Sequence, residues 1–400
     1  MKKILLLGGS RYLLPVIDSI HQLGYTAITC DYLPDNIAHK YSDEYYNVSI
    51  IDKDAVLTLA QKLAIDGVMS FACDPGVTTA AYVAEKMGLP SCGSYEAVSI
   101  LQNKARFRSF LAQHGFAVPK AKGYYDIETA LNEADLFRWP VIVKPVDSAG
   151  SKGVTRVDRP EELPAAAEYA LKYSLKDQFI VEEFIQQKGF SSDSDCFSID
   201  GKLVFASFSD QRFDENADNP YTPSAYSWPS SMPAEAQRKL RSELQRLISL
   251  LGLKTSLYNI ETRISMDGTP YIMEVSPRGG GNRIAELLRM ATGTDLITNA
   301  VRAAVGDSIS GIDHDPVYSG CWGITILHSD QDGVFDSLSL SDELKEFVVE
   351  TDLWVKKGDQ VHSFTGANQT IGTIVLKFKT QAPNEKALFG ISQHISVDLQ

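Results

Sequence analysis

The first seventy residues alternate short apolar runs with longer amphipathic stretches, which is the pattern of a βαβ fold. The apolar runs predict strands and the amphipathic stretches predict helices, in the order strand 4–7, helix 13–23, strand 26–30, helix 54–64 and strand 67–71. Strands that alternate with helices form a parallel sheet covered on both faces. The pattern therefore predicts an α/β N-terminal domain with a Rossmann-like sheet over residues 1–95.

The pattern changes at the glycines and proline of residues 88–94, which we interpret as a domain junction. A helix is predicted over 96–114, and strands are predicted over 139–145 and 178–185. The first of these strands leads into a loop of small residues at 147–154. A second domain is therefore expected to begin near residue 96.

Residues 213–233 form a long polar stretch crowded with Asp, Asn, Pro, Ser and Tyr, and we predict a loop here. Long ordered loops in compact domains often contact ligands. Tyr221, Tyr226 and Trp228 either reach a substrate or pin a surface loop with their own rings, and the sequence leaves both interpretations open.

A β-hairpin with a carboxylate on each strand is predicted after an amphipathic helix at 234–251. The hairpin consists of strands 257–264 and 270–275, joined at Asp267–Gly268. A further helix is predicted over 282–305. Short strands and turn residues alternate in the rest of the chain, which predicts a small β-rich C-terminal lobe over 306–400.

Composition favours an ordinary folded protein and excludes two classes. The 400 residues are 44% hydrophobic and 22% charged, with a formal net charge of −13. Nucleic-acid binding depends on clustered Lys and Arg, which this acidic chain lacks. The apolar run after Lys3 ends at Gly8, too early for a signal peptide, and no run approaches the roughly 20 residues that span a bilayer. We expect neither a nucleic-acid partner nor a membrane.

The five cysteines lie far apart and include no Cys-x-x-Cys pair. Their spacing fits neither a zinc site nor a disulfide framework, so it predicts a reducing compartment, the cytoplasm. The turn Gly8-Gly9-Ser10 and the acid Asp31 are similar to a dinucleotide-binding fingerprint, but Leu13 stands where the third glycine belongs. A dehydrogenase is therefore the weakest alternative.

Residues Ser148 to Gly153 could cover a polyphosphate, because small residues leave backbone N–H groups free to fold over it. Lys144 on the preceding strand would add a positive charge. The order of a P-loop is absent here. A surface lysine beside a tight turn is the alternative that this segment allows by itself.

Glu261 and Glu274 occupy the two strands of the predicted hairpin. Two carboxylates on adjacent strands repel unless a cation lies between them, and Mg2+ prefers such oxygen ligands. Alternatively, both face solvent. Arg278 precedes a glycine run and Asn282 at the start of a helix, where a guanidinium and exposed amides could hold an anion or a developing oxyanion.

In their order and spacing, these motifs resemble the ATP-grasp superfamily, especially its biotin-carboxylase-like and phosphoribosylglycinamide-synthetase-like branches. The resemblance runs from about residue 1 to residue 305. It implies a two-lobed ATP-grasp domain over 96–305, with residues 120–187 as the small ATP-binding lobe. The fold class expected is thus α/β and α+β, with this domain between the N-terminal sheet and the C-terminal lobe.

The resemblance also implies roles for individual residues. Lys104 and Lys144 match the nucleotide-binding lysines, and the phosphate-covering loop supplies Ser148, Ala149, Gly150, Ser151 and Gly153. The hinge that contacts adenine comprises Glu182, Glu183, Phe184 and Ile185. Glu261 and Glu274 match the metal-binding acids, and Arg278, a catalytic candidate together with Lys144, matches the arginine that steadies an acyl phosphate.

Two positions depart from the family pattern. Ser276 stands where an asparagine normally helps the second metal ion, so it is a substitute ligand whose presence leaves one or two ions open. The usual ribose-binding glutamate is also absent, and Asp193 or a neighbouring serine would take its place. The resemblance implies ATP and Mg2+ as cofactors, with Mn2+ as an alternative ion.

The function implied is ligation: a carboxylate is activated by ATP as an acyl phosphate and passed to an amine or a thiol, with release of ADP and phosphate. The partners are then ATP and two small molecules, in a chain that could form a homodimer. Two other functions stay open, namely a carboxylase that activates bicarbonate and a nucleotide-binding regulator without turnover.

Overall fold

The computed structural model describes residues 1–148, 150–312, 314–380, 388 and 391–400. A four-stranded parallel sheet opens the chain, with the strand order β3-β2-β1-β4. Its elements are β1 Lys3–Leu7, α1 Leu14–Gln22, β2 Thr26–Cys30, β3 Glu44–Tyr46, α2 Lys53–Leu63, β4 Gly67–Ser70 and α3 Asp74–Met87. The parallel sheet confirms the N-terminal part of the predicted fold class.

A four-stranded antiparallel sheet with the order β5-β8-β6-β7 follows two helices. The elements are α4 Tyr95–Leu101, α5 Lys104–Gln113, β5 Ala121–Tyr124, α6 Ile127–Asn132, β6 Val141–Pro145, β7 Thr155–Val157, α7 Leu163–Leu171 and β8 Phe179–Glu183. The single helix predicted over 96–114 is wrong. Asn103 interrupts it, because its side chain accepts a hydrogen bond from the Arg106 amide at 3.0 Å and so caps α5.

The third sheet has the order β10-β9-β13-β14 and contains the predicted hairpin. Its neighbourhood comprises β9 Ser192–Ile199, β10 Lys202–Ala206, β11 Asp210–Phe213, β12 Pro223–Trp228, α8 Ala234–Leu250, β13 Ser256–Ile264, β14 Pro270–Ser276, α9 Ile284–Thr292 and α10 Leu296–Ala304. The helix predicted over 282–305 is two helices. Gly293 ends α9 at a φ of 78°, and the Asp295 side chain caps α10.

The C-terminal lobe is rich in β-structure, as predicted. It comprises β15 Cys321–Leu327, β16 Gly333–Leu340, α11 Asp342–Lys345, β17 Val348–Leu353, β18 Gln360–Val361, β19 Gly372–Phe378, α12 Ile391–His394 and β20 Ile395–Leu399. Three of these strands form a small sheet in the order β18-β16-β20. The others join a five-stranded sheet with the order β11-β12-β15-β19-β17, so strands on both sides of residue 305 share one sheet.

The loop predicted over 213–233 is only partly a loop, because β12 lies between β11 and β15 as a central strand. Tyr226 and Trp228 on this strand are fully buried. The side chains of a central strand are buried by the neighbouring strands and layers even where the local sequence is polar. The polar residues around the two aromatics therefore led to the wrong prediction of a loop. Their rings belong to a core shared with Leu6 of β1, Leu287 of α9 and Trp322 of β15.

This shared core joins the N-terminal sheet, the hairpin sheet and the C-terminal lobe. In the part of the chain that the structure describes, no helix is both long enough and apolar enough to cross a membrane. The division of the chain near residues 95 and 305 stays a prediction.

Candidate active site

Three carboxylates form a row across three neighbouring strands of the hairpin sheet. Glu261 on β13 pairs directly with Asp193 on β9 and with Glu274 on β14. Asn259, two residues before Glu261 on β13, pairs with Asp195 on β9 and with Ser276 on β14. Paired residues of antiparallel strands share a face, and so do residues two apart. The sheet therefore presents a patch of six polar side chains, which we call the acidic face.

A β-bulge lies at the centre of this face. The pairing of β13 with β14 shifts between Glu261 and Thr262, which leaves Met273 as the extra residue between Glu274 and Ile272. A bulge increases the local twist of a strand and redirects the side chains beside it. Here the redirected residue is Glu274, which is about one third exposed like its partner Glu261.

The pKa values of the two aspartates on β9 are raised. Burial and the nearby Glu261 carboxylate raise the pKa of Asp193 to about 7. Burial and Asp193 likewise raise the pKa of Asp195 to about 7, although the Gly280 amide donates to it at 2.9 Å. Asn259 bridges the pair, because its amide nitrogen lies 2.7 Å from an Asp193 oxygen and 3.3 Å from an Asp195 oxygen.

The acidic face fits a magnesium ion. Its donors are carboxylate oxygens, which Mg2+ prefers. The buried Oδ2 of Asp195 has no hydrogen-bond partner among the described residues, although buried carboxylate oxygens are normally paired. A divalent cation here would offset the repulsion between Asp193, Glu261 and Glu274, which their register forces upon them.

Lys104 connects the acidic face with the predicted phosphate-covering loop. It is the first residue of α5, and its Nζ lies 3.3 Å from Oε2 of Glu274. The same ammonium donates to the backbone carbonyl of Ser148 at 3.0 Å. The structure thus brings together three residues that the sequence placed 44 and 126 positions apart along the chain.

Lys144 on β6 belongs to a buried cluster of ion pairs centred on Glu182. Its Nζ is 3.0 Å from Oε1 of Glu182, and Nε of Arg108 is 2.5 Å from the other oxygen of that carboxylate. Burial lowers the pKa of Lys144. Burial also opposes ionisation of Glu182, but Arg108 and Lys144 outweigh it and lower the Glu182 pKa to about 2. The Glu182 side chain on β8 therefore anchors two cations, Arg108 from α5 and Lys144 from β6.

Arg278 forms a two-pronged ion pair with Asp74, the first residue of α3. Its Nε and Nη2 donate to the two Asp74 oxygens at 2.9 and 2.6 Å, and its Nη1 donates to the Gly279 carbonyl at 2.8 Å. Burial opposes both charges, yet the pairing raises the pKa of Arg278 and lowers that of Asp74. The guanidinium plane is therefore fixed across the junction of the N-terminal sheet and the hairpin.

Ser276 takes part in the same network. Its hydroxyl donates to Asp74 at 2.8 Å and accepts from the Gln102 side chain at 2.8 Å. The hydroxyl is thus already engaged with protein groups on both sides. The role of Ser276 as a metal ligand stays a prediction. Its hydrogen bonds support a different role, which is to hold the Asp74 carboxylate in place beside Arg278.

The glycine run after Arg278 lets the chain pass closely over neighbouring side chains. A Cβ at Gly279 would lie 2.3 Å from a ring carbon of Phe71, and one at Gly280 would lie 2.8 Å from the Asn259 amide. These approaches exclude larger residues. The run leads to α9, whose N-terminus begins at Ile284, beside the acidic face.

The predicted phosphate-covering loop packs against the segment before β12. Ser151 Oγ donates to the Tyr221 carbonyl at 2.8 Å, and the Asn219 amide donates to the Ser151 carbonyl at 3.1 Å. Gly150, Ser151 and Gly153 all have positive φ, which favours glycine at two of these positions. Ala149, also predicted in this loop, lies outside the described residues.

The predicted hinge follows β8. The backbone amides of Glu183 and Phe184 donate to the carbonyls of Lys120 and Pro140, at 2.9 and 3.1 Å. The Glu183 carboxylate accepts from the Arg138 amide at 2.9 Å. Ile185 follows them, half-buried, just after the end of β8. Contacts of these hinge residues with adenine stay a prediction.

Sequence reasoning missed Asp74, Arg108 and Asn259. Arg108 had a detectable signal, because it stands four residues after Lys104 and so shares its helix face. Asp74 had a weaker one, since it follows a strand of the parallel sheet at the carboxyl edge, where ligands of such sheets bind. Asn259 lies two residues before Glu261, on the same face of β13.

Comparison with known proteins supports the resemblance. Residues 137–286 match the family model of the ATP-grasp domain. The large chain of carbamoyl phosphate synthase from Clostridium beijerinckii is 22% identical over 297 residues, which are 72% of this chain and 27% of that protein. The chain thus spans about a quarter of the length of the curated relatives that it matches.

Two solved structures show how far the fold is shared. The L-amino acid ligase from Bacillus licheniformis has a TM-score of 0.80 at 21% identity, over 100% of this chain and 99% of that one. The biotin carboxylase domain of the 2-oxoglutarate carboxylase from Hydrogenobacter thermophilus, solved with MgADP, ADP and bicarbonate, has a TM-score of 0.76 at 16% identity. It matches 100% of this chain and 91% of that one.

These similarities support ATP-dependent ligation in general terms and leave the substrates open. They agree with the arrangement described above, in which Lys104 contacts both the predicted phosphate-covering loop, at the Ser148 carbonyl, and the acidic face, at Glu274. Residues 137–286 therefore form an ATP-grasp domain, in a chain that has the fold of ATP-grasp proteins.

Proposed function

We propose that this chain is an ATP-dependent ligase that activates a small-molecule carboxylate as an acyl phosphate and transfers the acyl group to an amine. The single observation that carries the proposal is the contact of Lys104 with both Glu274 and the Ser148 carbonyl. It places a cation between the loop that would cover the phosphates and the acids that would hold their metal ion. Transfer of the acyl group to a thiol instead of an amine is the alternative within the same reaction.

In this proposal Glu261 and Glu274 hold Mg2+, and Asp193 opposite Glu261 completes the row. The bound ion would neutralise charge on the triphosphate. Mn2+ would serve in its place, and Ser276 leaves open whether a second ion binds. Asp193 is better placed to contact the metal or its waters than to contact ribose, the role that the family resemblance first implied.

Lys104 and Lys144 provide the positive charge for the β- and γ-phosphates. Lys104 would exchange its contact with Glu274 for phosphate oxygens, and Lys144 would keep one contact with Glu182. Because the amides of Glu183 and Phe184 are already hydrogen bonded, the adenine edge would meet the backbone at Ile185. The loop from Ser148 to Gly153 would exclude water from the reacting phosphate.

The reaction has two displacements. A carboxylate oxygen of the first substrate attacks the γ-phosphorus, the bond to the bridging oxygen breaks, and ADP leaves. The amine nitrogen of the second substrate then attacks the acyl carbon. Phosphate leaves with the electron pair of the broken C–O bond and takes up the proton that the nitrogen loses. Arg278, held rigidly by Asp74, would stabilise the oxyanion that develops in the second step.

Two alternatives retain specific support. Activation of bicarbonate is favoured by the similar biotin carboxylase domain, whose solved complex contains bicarbonate. A nucleotide-binding regulator is favoured by Ser276, because its hydroxyl is engaged with Asp74 and Gln102.

The proposal also includes a homodimer and a cytoplasmic location. The five free cysteines support the location.

An ADP-release assay tests the proposed function. The purified chain is mixed with Mg-ATP and with pairs drawn from amino acids, sugar acids and simple amines, and bicarbonate is tested separately. Release of ADP that requires both an acid and an amine supports the ligase. Release with bicarbonate alone selects the carboxylase, and ATP binding by calorimetry without release in any mixture selects the regulator.

A further inference from the structure

A second group of metal-ligating side chains lies away from the acidic face. Asp214 follows β11, while His328 and Asp330 follow β15, at the edge where β12 separates these two strands. One donor atom from each residue lies within 4.8 Å of the other two. The side chains of Asp214 and His328 are largely buried, and Asp330 is exposed.

The His328 ring is fixed in a way that suits a ligand. Its Nδ1 lies 2.8 Å from the Ile326 carbonyl, which can only accept, so Nδ1 carries a proton. The ring also stacks on Phe364, with centroids 4.1 Å apart. Metal-binding histidines usually donate their other ring N–H to a carbonyl or a carboxylate in this manner, because the donation fixes the tautomer and the ring orientation.

The remaining nitrogen faces a carboxylate. Nε2 of His328 lies 3.2 Å from Oδ2 of Asp214. If Nε2 bears no proton, its lone pair repels that oxygen unless a cation lies between them. If a metal ion lay about 2.1 Å from both Nε2 and Oδ2, their 3.2 Å separation would give an N–metal–O angle of about 100°. That angle lies between the tetrahedral and octahedral values.

We propose that Asp214, His328 and Asp330 bind one divalent transition-metal ion, distinct from the magnesium of the acidic face. One imidazole and two carboxylates suit Zn2+ or Mn2+, whereas Mg2+ takes oxygen ligands almost alone. Asp330, being exposed, can rotate to complete the site. The inference is independent of the proposed ligase activity.

The ion would tie the C-terminal lobe to the segment that contacts the phosphate-covering loop. The Asn219 backbone amide donates to the Phe364 carbonyl at 3.4 Å, and Phe364 stacks on His328. The Asn219 side chain also donates to the carbonyls of Ser151 and Thr365, both at 3.1 Å. A metal that joins Asp214 to His328 would therefore order the turn on which Ser151 rests.

Equilibrium dialysis of the full chain against Zn2+, without nucleotide, tests the proposal. We expect one Zn2+ per chain, with affinity lowered about 100-fold in His328→Ala and about 10-fold in Asp330→Asn, since ligands contribute at least as much as their supporting groups. The matched control is His362→Ala, which removes an exposed histidine 3.4 Å from Asp332 and should bind as the wild type does. Glu274→Gln should also retain this ion.

A Co2+-loaded sample should show a visible absorption band that disappears in His328→Ala. The proposal is overturned if the wild type binds no Zn2+ below about 100 μM, or if both ligand variants bind as tightly as His362→Ala. His328 would then be only a hydrogen-bond partner of Asp214. Should His328→Ala fail to fold, Asp330→Asn decides the matter, because its side chain is exposed.

Discussion

Lys104 and Glu274 lie 3.3 Å apart, although the first belongs to a helix that precedes the small lobe and the second to the hairpin sheet. The pair spans the cleft in which the triphosphate is proposed to bind. In the proposal, Lys104 turns to the phosphate oxygens and Glu274 to the metal ion that accompanies them.

Glu274→Gln should lower the rate of ADP release by at least about 100-fold, because it removes a ligand charge from the proposed metal site. The fold should persist, since Glu274 is partly exposed and its ion-pair partner Lys104 is also held by the Ser148 carbonyl. Steady-state kinetics and thermal melting measure the two effects. The exposed Glu235→Gln serves as control, and wild-type turnover in Glu274→Gln would refute the metal assignment.

Lys144→Ala should weaken ATP binding by about 1–3 kcal/mol, the range for a lost charge-assisted hydrogen bond. Glu182 keeps Arg108 as a partner in this variant, so the small lobe should stay folded. Calorimetric titration with ATP checks the prediction against Lys172→Ala, an exposed lysine of the same lobe. Equal affinities in the two variants would remove Lys144 from the nucleotide site.

Asp195→Asn should make stability less dependent on pH when Mg2+ is absent. Because the folded-state pKa of Asp195 is raised to about 7 from an ordinary value of 3.8, the folded chain holds a proton that the unfolded chain releases. The free energy of unfolding therefore falls as pH rises from about 4 to about 7. Asparagine cannot ionise, so urea unfolding of this variant should show a shallower fall.

The exposed Asp200→Asn is the control for that experiment. It should follow the wild-type profile between pH 4 and 7. An Asp195→Asn profile as steep as that of the wild type would mean that Asp195 is already ionised in the folded protein at low pH.

Trp228→Ala should lower the free energy of unfolding by about 3–5 kcal/mol, the usual cost of emptying a buried aromatic site. The ring is fully buried, and its indole nitrogen donates to Ser194 at 3.0 Å. Tyr221→Ala should cost less, because Tyr221 is only half-buried. Urea unfolding compares the two, and equal losses would contradict the central position of β12.

Much of the site could be predicted from sequence because its elements are local. Strand alternation and the Asp267–Gly268 turn indicate the hairpin and place one carboxylate on each strand, while the β-bulge next to Glu261 shifts the register by one residue and so pairs Glu261 with Glu274. The position of Lys104 followed from the family resemblance. These features need no knowledge of distant contacts.

The rest depends on contacts between distant parts of the chain. Asp74 pairs with Arg278 across 204 positions, and no local pattern indicates that pairing. The burial of Tyr226 and Trp228 likewise depends on β15, which follows them by almost a hundred residues. The helix breaks at Asn103 and Asp295 are different, since both residues are good caps and a closer examination of the sequence could have found them.

The sheet that contains β12 and β15 also limits how this protein can be shortened or diversified. A chain that ended near residue 305 would lose the strand that covers one edge of β12 and would expose a row of unpaired backbone groups beside Trp228. Open edges of this kind recruit other chains, so such a fragment should aggregate. Insertions that change specificity are therefore best tolerated in the turns of the C-terminal lobe, where no strand of this sheet is interrupted.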